Sequence, residues 1–412
     1  LGAHVFDPDK VTVLTIQDRY HEAIDQVVGS PYRPGGLADL DNPNPPQTIG
    51  QSAPFSRPAS AFGIYSRVEQ AYFNALNEKG GINKRKIKFI MLDNGFSPPK
   101  ALEASRKLVE EDHVLAEVGT VGTPTNSATQ RYLNGKKVPQ LLISAGGSKF
   151  NDPKQYPWTV PFYPSFETEA IGFARYALKA QKTPRIGVLY QNDDYGKDFL
   201  KGLQKALGEN YKKLVVSEQS YELTDPTVDS QVINLAGSGA NVFMNFTTPK
   251  FAAQAMRKAD ELKWKPMQFI ASPGSSVQAV LKVVGFDKVE GVMTAQYFKE
   301  PGDPAWEKDP DMQNYFAFMK KYAPNDSPLD AIGVSGYVNA QMAEYVLNAA
   351  GNELTRENLL KKATTLKDVT LSLLLPGIKL SNTPEDYRAY HGFQLSRFDG
   401  KGWAAVEYIK AD

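Results

Sequence analysis

The chain has no cysteine among its 412 residues and only four histidines. Without cysteine, disulfides, thiolate nucleophiles and cysteine-ligated metal sites are excluded. The four histidines lie far apart, without the H-E-x-x-H spacing of a zinc site, at His4, His21, His113 and His391. The sequence also contains no Walker A motif and no G-x-S-x-G nucleophile turn. We therefore predict no metal, no cofactor and no catalytic residues.

Long apolar runs and an excess of one charge are missing as well. No run approaches the roughly 20 residues that span a bilayer. A net charge of +1 gives no general attraction to nucleic acid or to an anionic membrane surface. No signal peptide is visible, but the chain begins with Leu1 rather than Met, so we expect that a leader has been removed. The length favours two domains.

The pattern that is present is a regular alternation of strands and helices. One series runs from Thr48 to Ser144, and a second begins near Trp158 and ends near Gln296. Such alternation predicts right-handed crossovers onto parallel sheets. Two long helices and a terminal hairpin follow. Residues 1–47 are atypical: we predict a strand over 11–16, a short helix over 20–28, and a Pro-rich connector over 30–47.

Two loops rich in small residues are the best candidates for a binding site. Residues 114–128 and 141–148 each resemble a buried strand that ends in Gly, Ser and Thr, and the first loop leads into a helix. Ligands of open α/β sheets bind beyond the carboxyl ends of the strands, and a helix N-terminus favours an anion. A cradle for a carboxylate is one interpretation, and two ordinary strand-to-helix turns are the other.

Other candidates have a structural and a functional interpretation each. Asp193 and Asp194 follow a predicted strand and could bind a metal, but helix capping is favoured because Tyr195 and Gly196 open the next helix. Three aromatic residues at strand ends could belong to the core or form the walls of a cleft: Phe62, Tyr163 and Tyr195.

The chain resembles type I periplasmic binding proteins of the leucine/isoleucine/valine-binding family, the solute receptors of ABC importers, from about Thr48 to its C-terminus. The pattern N-x-x-G-G-I-N is matched by residues 77–83, and D-Y-G occurs at residues 194–196. Further segments that carry the resemblance are residues 55–63, 118–120, 123–125, 142–145 and 192–197.

The resemblance implies an α/β fold of two discontinuous, doubly wound lobes with parallel sheets, joined by three crossing strands that form a hinge. Residues 48–161 and 297–375 would form the first lobe, and residues 162–296 and 376–412 the second. The crossings would lie near residues 159–163, 294–298 and 374–379. A ligand would be enclosed in the cleft as the lobes close.

The resemblance also implies ligand-binding residues. The carboxylate of the ligand would be held by Thr123, Gly146 and Ser148, Tyr195 would close over it from the second lobe, and Phe62 would line the pocket. Other loops at the cleft contribute the remaining predicted contacts: Ser144, Tyr163, Thr247 and Ser272.

Three departures from the family pattern bear on the ligand. Amino-acid-binding members carry an acid after the strand matching residues 268–271, where this chain has residues 272–276, S-P-G-S-S. In a second loop, amino-acid-binding members often have a tyrosine or an acid, and this chain has Thr247 and Thr248 there. Since a buried ammonium needs a partner, a carboxylate without an amino group becomes a serious candidate. Arg57 replaces a usual glycine and would lie at the cleft mouth or on the surface.

The expected function is therefore that of an extracytoplasmic, monomeric and non-enzymatic receptor that binds a small carboxylate-bearing ligand by hinge closure. The ligand would be a hydrophobic or branched-chain amino acid, or an aromatic or aliphatic carboxylate. A membrane permease is the expected partner, and nucleic acid is not. A sensor of a signalling system with the same fold is the first alternative, and an α/β enzyme is the second.

Overall fold

The computed structural model describes residues 45–56 and 59–411. The predicted strand over 11–16, the predicted helix over 20–28 and the position of Arg57 lie outside these residues. Within them, no helix is both long and apolar enough to cross a membrane.

The described residues alternate between strands and helices as the sequence pattern predicts. The strands are β1 (Gln47–Ala53), β2 (Ile87–Asp93), β3 (Ala116–Val118), β4 (Gln140–Ile143), β5 (Thr159–Pro161), β6 (Ile186–Gln191), β7 (Val215–Tyr221), β8 (Val242–Phe246), β9 (Met267–Ile270), β10 (Met293–Gln296), β11 (Gly392–Phe398) and β12 (Trp403–Lys410). The helices are α1 (Gly63–Glu78), α2 (Pro98–Glu110), α3 (Thr123–Gly135), α4 (Phe166–Ala180), α5 (Asp194–Leu207), α6 (Tyr211–Leu214), α7 (Asp229–Gly237), α8 (Pro249–Glu261), α9 (Lys282–Val284), α10 (Phe286–Val289), α11 (Pro310–Tyr322), α12 (Ala331–Ala350) and α13 (Arg356–Ala363).

The strands form two sheets. The first is parallel, in the order β2-β1-β3-β4-β5. The second has the order β12-β11-β10-β9-β8-β6-β7, in which β6 to β10 are parallel and the terminal hairpin adds β11 and β12 antiparallel. In each sheet the strand order reverses beside the first strand of its series, and such switch points are where open α/β sheets bind ligands.

Helices α11 and α12 return to the first sheet, where both pack against α1. The chain reaches them through residues 297–300 and leaves the first lobe again near Leu374. These two crossings pair with each other: Phe298 forms an antiparallel bridge with Leu374, and the Leu375 N–H donates to the Tyr297 carbonyl at 2.9 Å. The lobe boundaries themselves stay predictions.

Local sequence signals explain where helices begin and end. Helix α1 stops at the Gly80–Gly81 pair of the N-x-x-G-G-I-N pattern, which has φ values of +106° and +78°. The Gly81 N–H donates to the Leu76 carbonyl and the Gly80 N–H to the Asn77 carbonyl, the bonding of a Schellman motif. At the predicted cap of α5, the Asp193 carboxylate accepts from the Tyr195 N–H at 2.9 Å and opens the helix. Among the described residues no cluster of three metal-ligating side chains occurs.

Candidate ligand-binding site

A cavity lies between the two lobes, at the carboxyl ends of both sheets. Its volume of about 100 Å³ is several times the roughly 10–15 Å³ that one water molecule requires. Eight aromatic side chains contribute to its lining: Phe62, Tyr65, Phe96, Tyr163, Phe166, Tyr195, Tyr297 and Phe298. The polar side chains in the lining are Thr123, Ser144, Gln191, Thr248, Ser272, Ser275, Ser276, Gln296, Glu300 and Ser335. A largely apolar cavity with a few polar groups is typical of a small-molecule site.

Aromatic pairs build the walls on both sides. In the first lobe Phe62 and Phe96 stack with ring centroids 6.4 Å apart. In the second lobe Phe166 meets Tyr195 edge to face at 4.9 Å. The Tyr195 hydroxyl donates to the Thr247 carbonyl at 3.1 Å, so the ring is fixed against the strand end. The walls therefore favour a ligand with an apolar body.

The N-terminus of α3 forms one end of the cavity. Gly122 precedes the helix with a φ of +102°, and a side chain there would collide with the Phe96 ring at 2.6 Å. Only glycine therefore lets this turn approach Phe96 so closely. Thr123, the first residue of the helix, lines the cavity beside Ser144. The first N–H groups of a helix have no intrahelical partner and carry a partial positive charge, which suits a carboxylate.

The Tyr65 hydroxyl is a second polar group at this end. Tyr65 lines the cavity from α1, is 2% exposed, and its hydroxyl has no hydrogen-bond partner among the described residues. Burial and the charge of Glu69 raise the pKa of Tyr65 well above its usual value, whereas a contact with the Ser144 side chain, too weak in geometry to count as a hydrogen bond, acts in the opposite direction. An unpaired buried hydroxyl costs free energy, which a polar ligand atom would recover.

Glu300 is the one carboxylate among the described residues that line the cavity, and Lys, Arg and His do not occur there. It is 5% exposed and accepts from the Val277 N–H at 2.8 Å. Burial, reinforced by the charges of Asp330 and Asp303, raises the pKa of Glu300 to about 8. A cationic ligand group at this position would stabilise the ionised form.

The structure places the predicted ligand-binding residues in three groups. Six line the cavity: Phe62, Thr123, Ser144, Tyr163, Tyr195 and Ser272. Thr247 does not, because its side chain is fully buried and donates to Asn245 at 2.7 Å; the next residue, Thr248, lines the cavity instead.

Gly146 and Ser148 form the third group and line a neighbouring cavity behind Tyr163. Gly146 packs against the first crossing, where its carbonyl accepts from the Phe166 N–H at 3.0 Å and a side chain would meet the Pro164 carbonyl oxygen at 2.0 Å. Gly146 and Ser148 therefore contact the hinge and not the cavity at α3, whereas Ser144, earlier in the same loop, lines the cavity.

Ser148 belongs to a set of polar contacts that join the lobes at the cleft. Its hydroxyl donates to Asp198 at 2.5 Å and its N–H to the same carboxylate at 3.1 Å. One turn earlier on α5, Asp194 accepts from Ser127 at 2.7 Å and from Lys149 at 2.9 Å. These contacts between α5 and the first lobe, made by Ser127, Ser148, Lys149, Asp194 and Asp198, are called the cleft latch below.

Sequence reasoning missed Tyr65, Phe96, Gln191, Tyr297 and Glu300. Tyr65 lies in α1, three residues after Phe62 at the N-cap of this helix, so helical spacing alone could have placed it on the same face. Glu300 gave no comparable signal, since it lies in an irregular segment that the hinge brings to the cavity.

The chain belongs to the periplasmic binding protein family. The family's model, described as "Periplasmic binding protein", matches residues 46–402. Together with the fold, the match confirms the predicted resemblance to type I receptors of the leucine/isoleucine/valine-binding class, and it confirms that this is a binding protein and not an enzyme.

Individual relatives are similar at low sequence identity. A Leu/Ile/Val-binding protein homolog 7 of Brucella suis is 23% identical over 310 residues, 73% of this chain and 76% of its own length. A branched chain amino acid ABC transporter structure from Thermus thermophilus with bound valine superposes with a TM-score of 0.79 at 14% identity, covering 89% of this chain and 97% of that one. A fatty acid ABC transporter substrate-binding protein from Thermomonospora curvata gives 0.73 at 22% identity, covering 90% and 95%. At these identities the structural matches show the fold alone.

Proposed function

We propose that this protein is an extracytoplasmic receptor that delivers a small amphipathic solute to the permease of an ABC importer. The observation that carries the proposal is the aromatic cavity enclosed between the lobes. A ligand there contacts both lobes at once, so it stabilises the closed arrangement by its greater affinity for that state.

The proposed ligand has a carboxylate at the N-terminus of α3 and a branched aliphatic or aromatic body between the aromatic walls. Thr123, Ser144 and the Tyr65 hydroxyl offer hydrogen bonds to the carboxylate. The names of the relatives, which include a valine complex and a fatty acid receptor, support an aliphatic body.

Glu300 favours an amino group on this ligand. The case for a carboxylate without an amino group depended on the acid-free loop at residues 272–276, and Glu300 supplies a carboxylate from the second crossing instead. An ammonium near Glu300 would remove the cost of burying that carboxylate alone. Among the ligands considered, we therefore propose a hydrophobic amino acid.

A ligand panel measured by thermal shift and calorimetry tests the proposal. It contains L-valine, L-leucine and L-phenylalanine, their deaminated counterparts isovalerate, isocaproate and hydrocinnamate, and the corresponding amino acid amides. A true ligand at about a thousand times its dissociation constant stabilises the protein by roughly 4 kcal/mol. We expect the amino acids to bind best. Stronger binding of the deaminated acids would remove the role of Glu300, and no response to any compound would overturn the proposed ligand class.

A further inference from the structure

Two cavity-lining residues, Ser272 and Tyr297, are hydrogen-bonded to a buried carboxylate that does not line the cavity, and a third, Tyr163, is bonded to Ser272. Glu169 lies on α4 and is fully buried. One carboxylate oxygen accepts from the Ser272 hydroxyl at 2.5 Å and from the Tyr297 hydroxyl at 3.2 Å, and the other accepts from the Ser272 N–H at 3.1 Å. Tyr163 lies 3.0 Å from the Ser272 hydroxyl oxygen.

The directions of these hydrogen bonds follow from the number of protons. The Ser272 hydroxyl has one hydrogen, which it donates to Glu169, so the bond between Ser272 and Tyr163 is donated by Tyr163. The hydroxyl hydrogens of both tyrosines and of the serine are therefore engaged in a chain that ends on Glu169. This wall therefore offers a ligand aromatic surface and hydroxyl oxygens that can accept, but no free hydroxyl donor from these three residues.

The same carboxylate joins three separate segments around the cavity. Tyr163 follows β5 in the first crossing, Tyr297 follows β10 in the second, and Ser272 begins the loop after β9. Because Glu169 is fixed on α4, its bonds hold these segments in one arrangement. Burial raises the pKa of Glu169 to about 7, whereas the bonds from Ser272 and Tyr297 act in the opposite direction and favour the ionised form.

We infer that Glu169 is a positioning residue that fixes the wall of Tyr163, Tyr297 and Ser272 and, by engaging their hydroxyl hydrogens, makes this wall favour apolar ligand side chains over side chains whose oxygen needs a hydrogen-bond donor. A ligand oxygen that finds no donor at the wall keeps part of its desolvation cost. The selectivity for ligand side chains rests on the proposed function. The positioning role of Glu169 rests on the hydrogen bonds alone.

The test compares L-valine with L-threonine, which has nearly the same shape but carries a hydroxyl, on wild type and Glu169→Gln. The glutamine amide nitrogen replaces either the oxygen that accepts from the Ser272 and Tyr297 hydroxyls, which releases both hydrogens for the cavity, or the oxygen that accepts from the Ser272 N–H, which loosens the loop at residue 272. We expect weaker L-valine binding and a Kd ratio of threonine to valine that falls by about two-fold to ten-fold, the range of one hydrogen bond. In the double variant Ser272→Ala/Glu169→Gln, the Kd ratio is expected to change by less than the sum of the two single-variant effects, because both substitutions act on one chain of hydrogen bonds.

Hydrogen exchange of the ligand-free protein supplies a readout that needs no ligand. Glu169→Gln is expected to increase exchange in residues 271–276 and 297–299. Glu117→Gln is the matched control, because Glu117 is equally buried but lies on β3 and does not line the cavity; it should change neither the ratio nor these segments. An unchanged Kd ratio with unchanged exchange would overturn the inference. If wild type binds neither amino acid, the proposed ligand class fails. The positioning role of Glu169 is then tested by hydrogen exchange alone, and unchanged exchange in Glu169→Gln would overturn it.

Discussion

The Ser148 hydroxyl of the first lobe donates to the Asp198 carboxylate of α5 at 2.5 Å, a contact across the cleft that leaves the aromatic cavity untouched. Asp198 is 8% exposed, and burial raises its pKa to about 6 while the bonds from Ser148 lower it. The cleft latch therefore joins the lobes without a ligand. Ser148, which the sequence predicts as a ligand contact, lies instead at a direct contact between the lobes, outside the aromatic cavity.

Removing the latch hydroxyl should weaken ligand binding indirectly. In Ser148→Ala the closed state loses the hydrogen bond that the hydroxyl donates to Asp198 and the one it accepts from Lys201 at 2.9 Å, so the apparent affinity falls with the closed fraction, by about three-fold to ten-fold. Small-angle scattering should show a more open ligand-free protein. Ser230→Ala, an exposed serine on α7, is the control and should behave as wild type. Weaker binding without any change in the open–closed equilibrium would contradict this account and restore Ser148 as a ligand contact.

The unpaired Tyr65 hydroxyl gives a prediction with opposite effects on stability and affinity. Tyr65→Phe should raise the melting temperature of the ligand-free protein, because it removes a buried hydroxyl without a partner among the described residues. The same variant should weaken amino acid binding about ten-fold if the hydroxyl donates to the ligand carboxylate.

Tyr315→Phe is the matched control for Tyr65→Phe. The Tyr315 hydroxyl is also buried and without a partner among the described residues, but Tyr315 does not line the cavity. Its loss should affect stability alone. Equal affinity of wild type and Tyr65→Phe would exclude the hydroxyl from ligand recognition.

Sequence patterns predicted the fold better than the site, for a physical reason. Strand and helix periodicity and caps such as Gly80–Gly81 are local, and they follow from residues within a few positions of each other. The cavity depends on which loops the hinge brings together. The sequence predicted Thr247 in the cavity lining, but the neighbouring Thr248 lines it. Glu300 reaches the cavity from an irregular crossing segment. Neither position has a periodic signal.

Glu300→Gln should separate ligands with an amino group from those without one. Loss of the charge is expected to weaken L-valine binding about ten-fold to a hundred-fold, the range of a hydrogen bond to a charged group. Isovalerate, which lacks the ammonium, should bind as it does to wild type or better, since a buried carboxylate has been removed. Calorimetry with both compounds decides, with Glu117→Gln as control. Equal losses for the two ligands would contradict an ammonium site at Glu300.

Buried carboxyl groups also predict how stability depends on pH. Burial raises the pKa of Glu117 to about 7, above the roughly 4.3 of an unfolded glutamate. The folded state then binds more protons than the unfolded state between these values, so the contribution of Glu117 is fully present below pH ~4.3 and is lost as the pH rises through ~7.

Glu169 and Glu300 have raised pKa values of about 7 and 8 and act in the same direction. The free energy of unfolding of ligand-free protein should therefore decrease from pH 5 to pH 8 as far as these groups determine it. Glu117→Gln removes one of them, so its stability relative to wild type should improve from pH 5 to about pH 7 and level off above that value in denaturant titrations. A difference that stays constant with pH would show that Glu117 has no raised pKa in the folded protein.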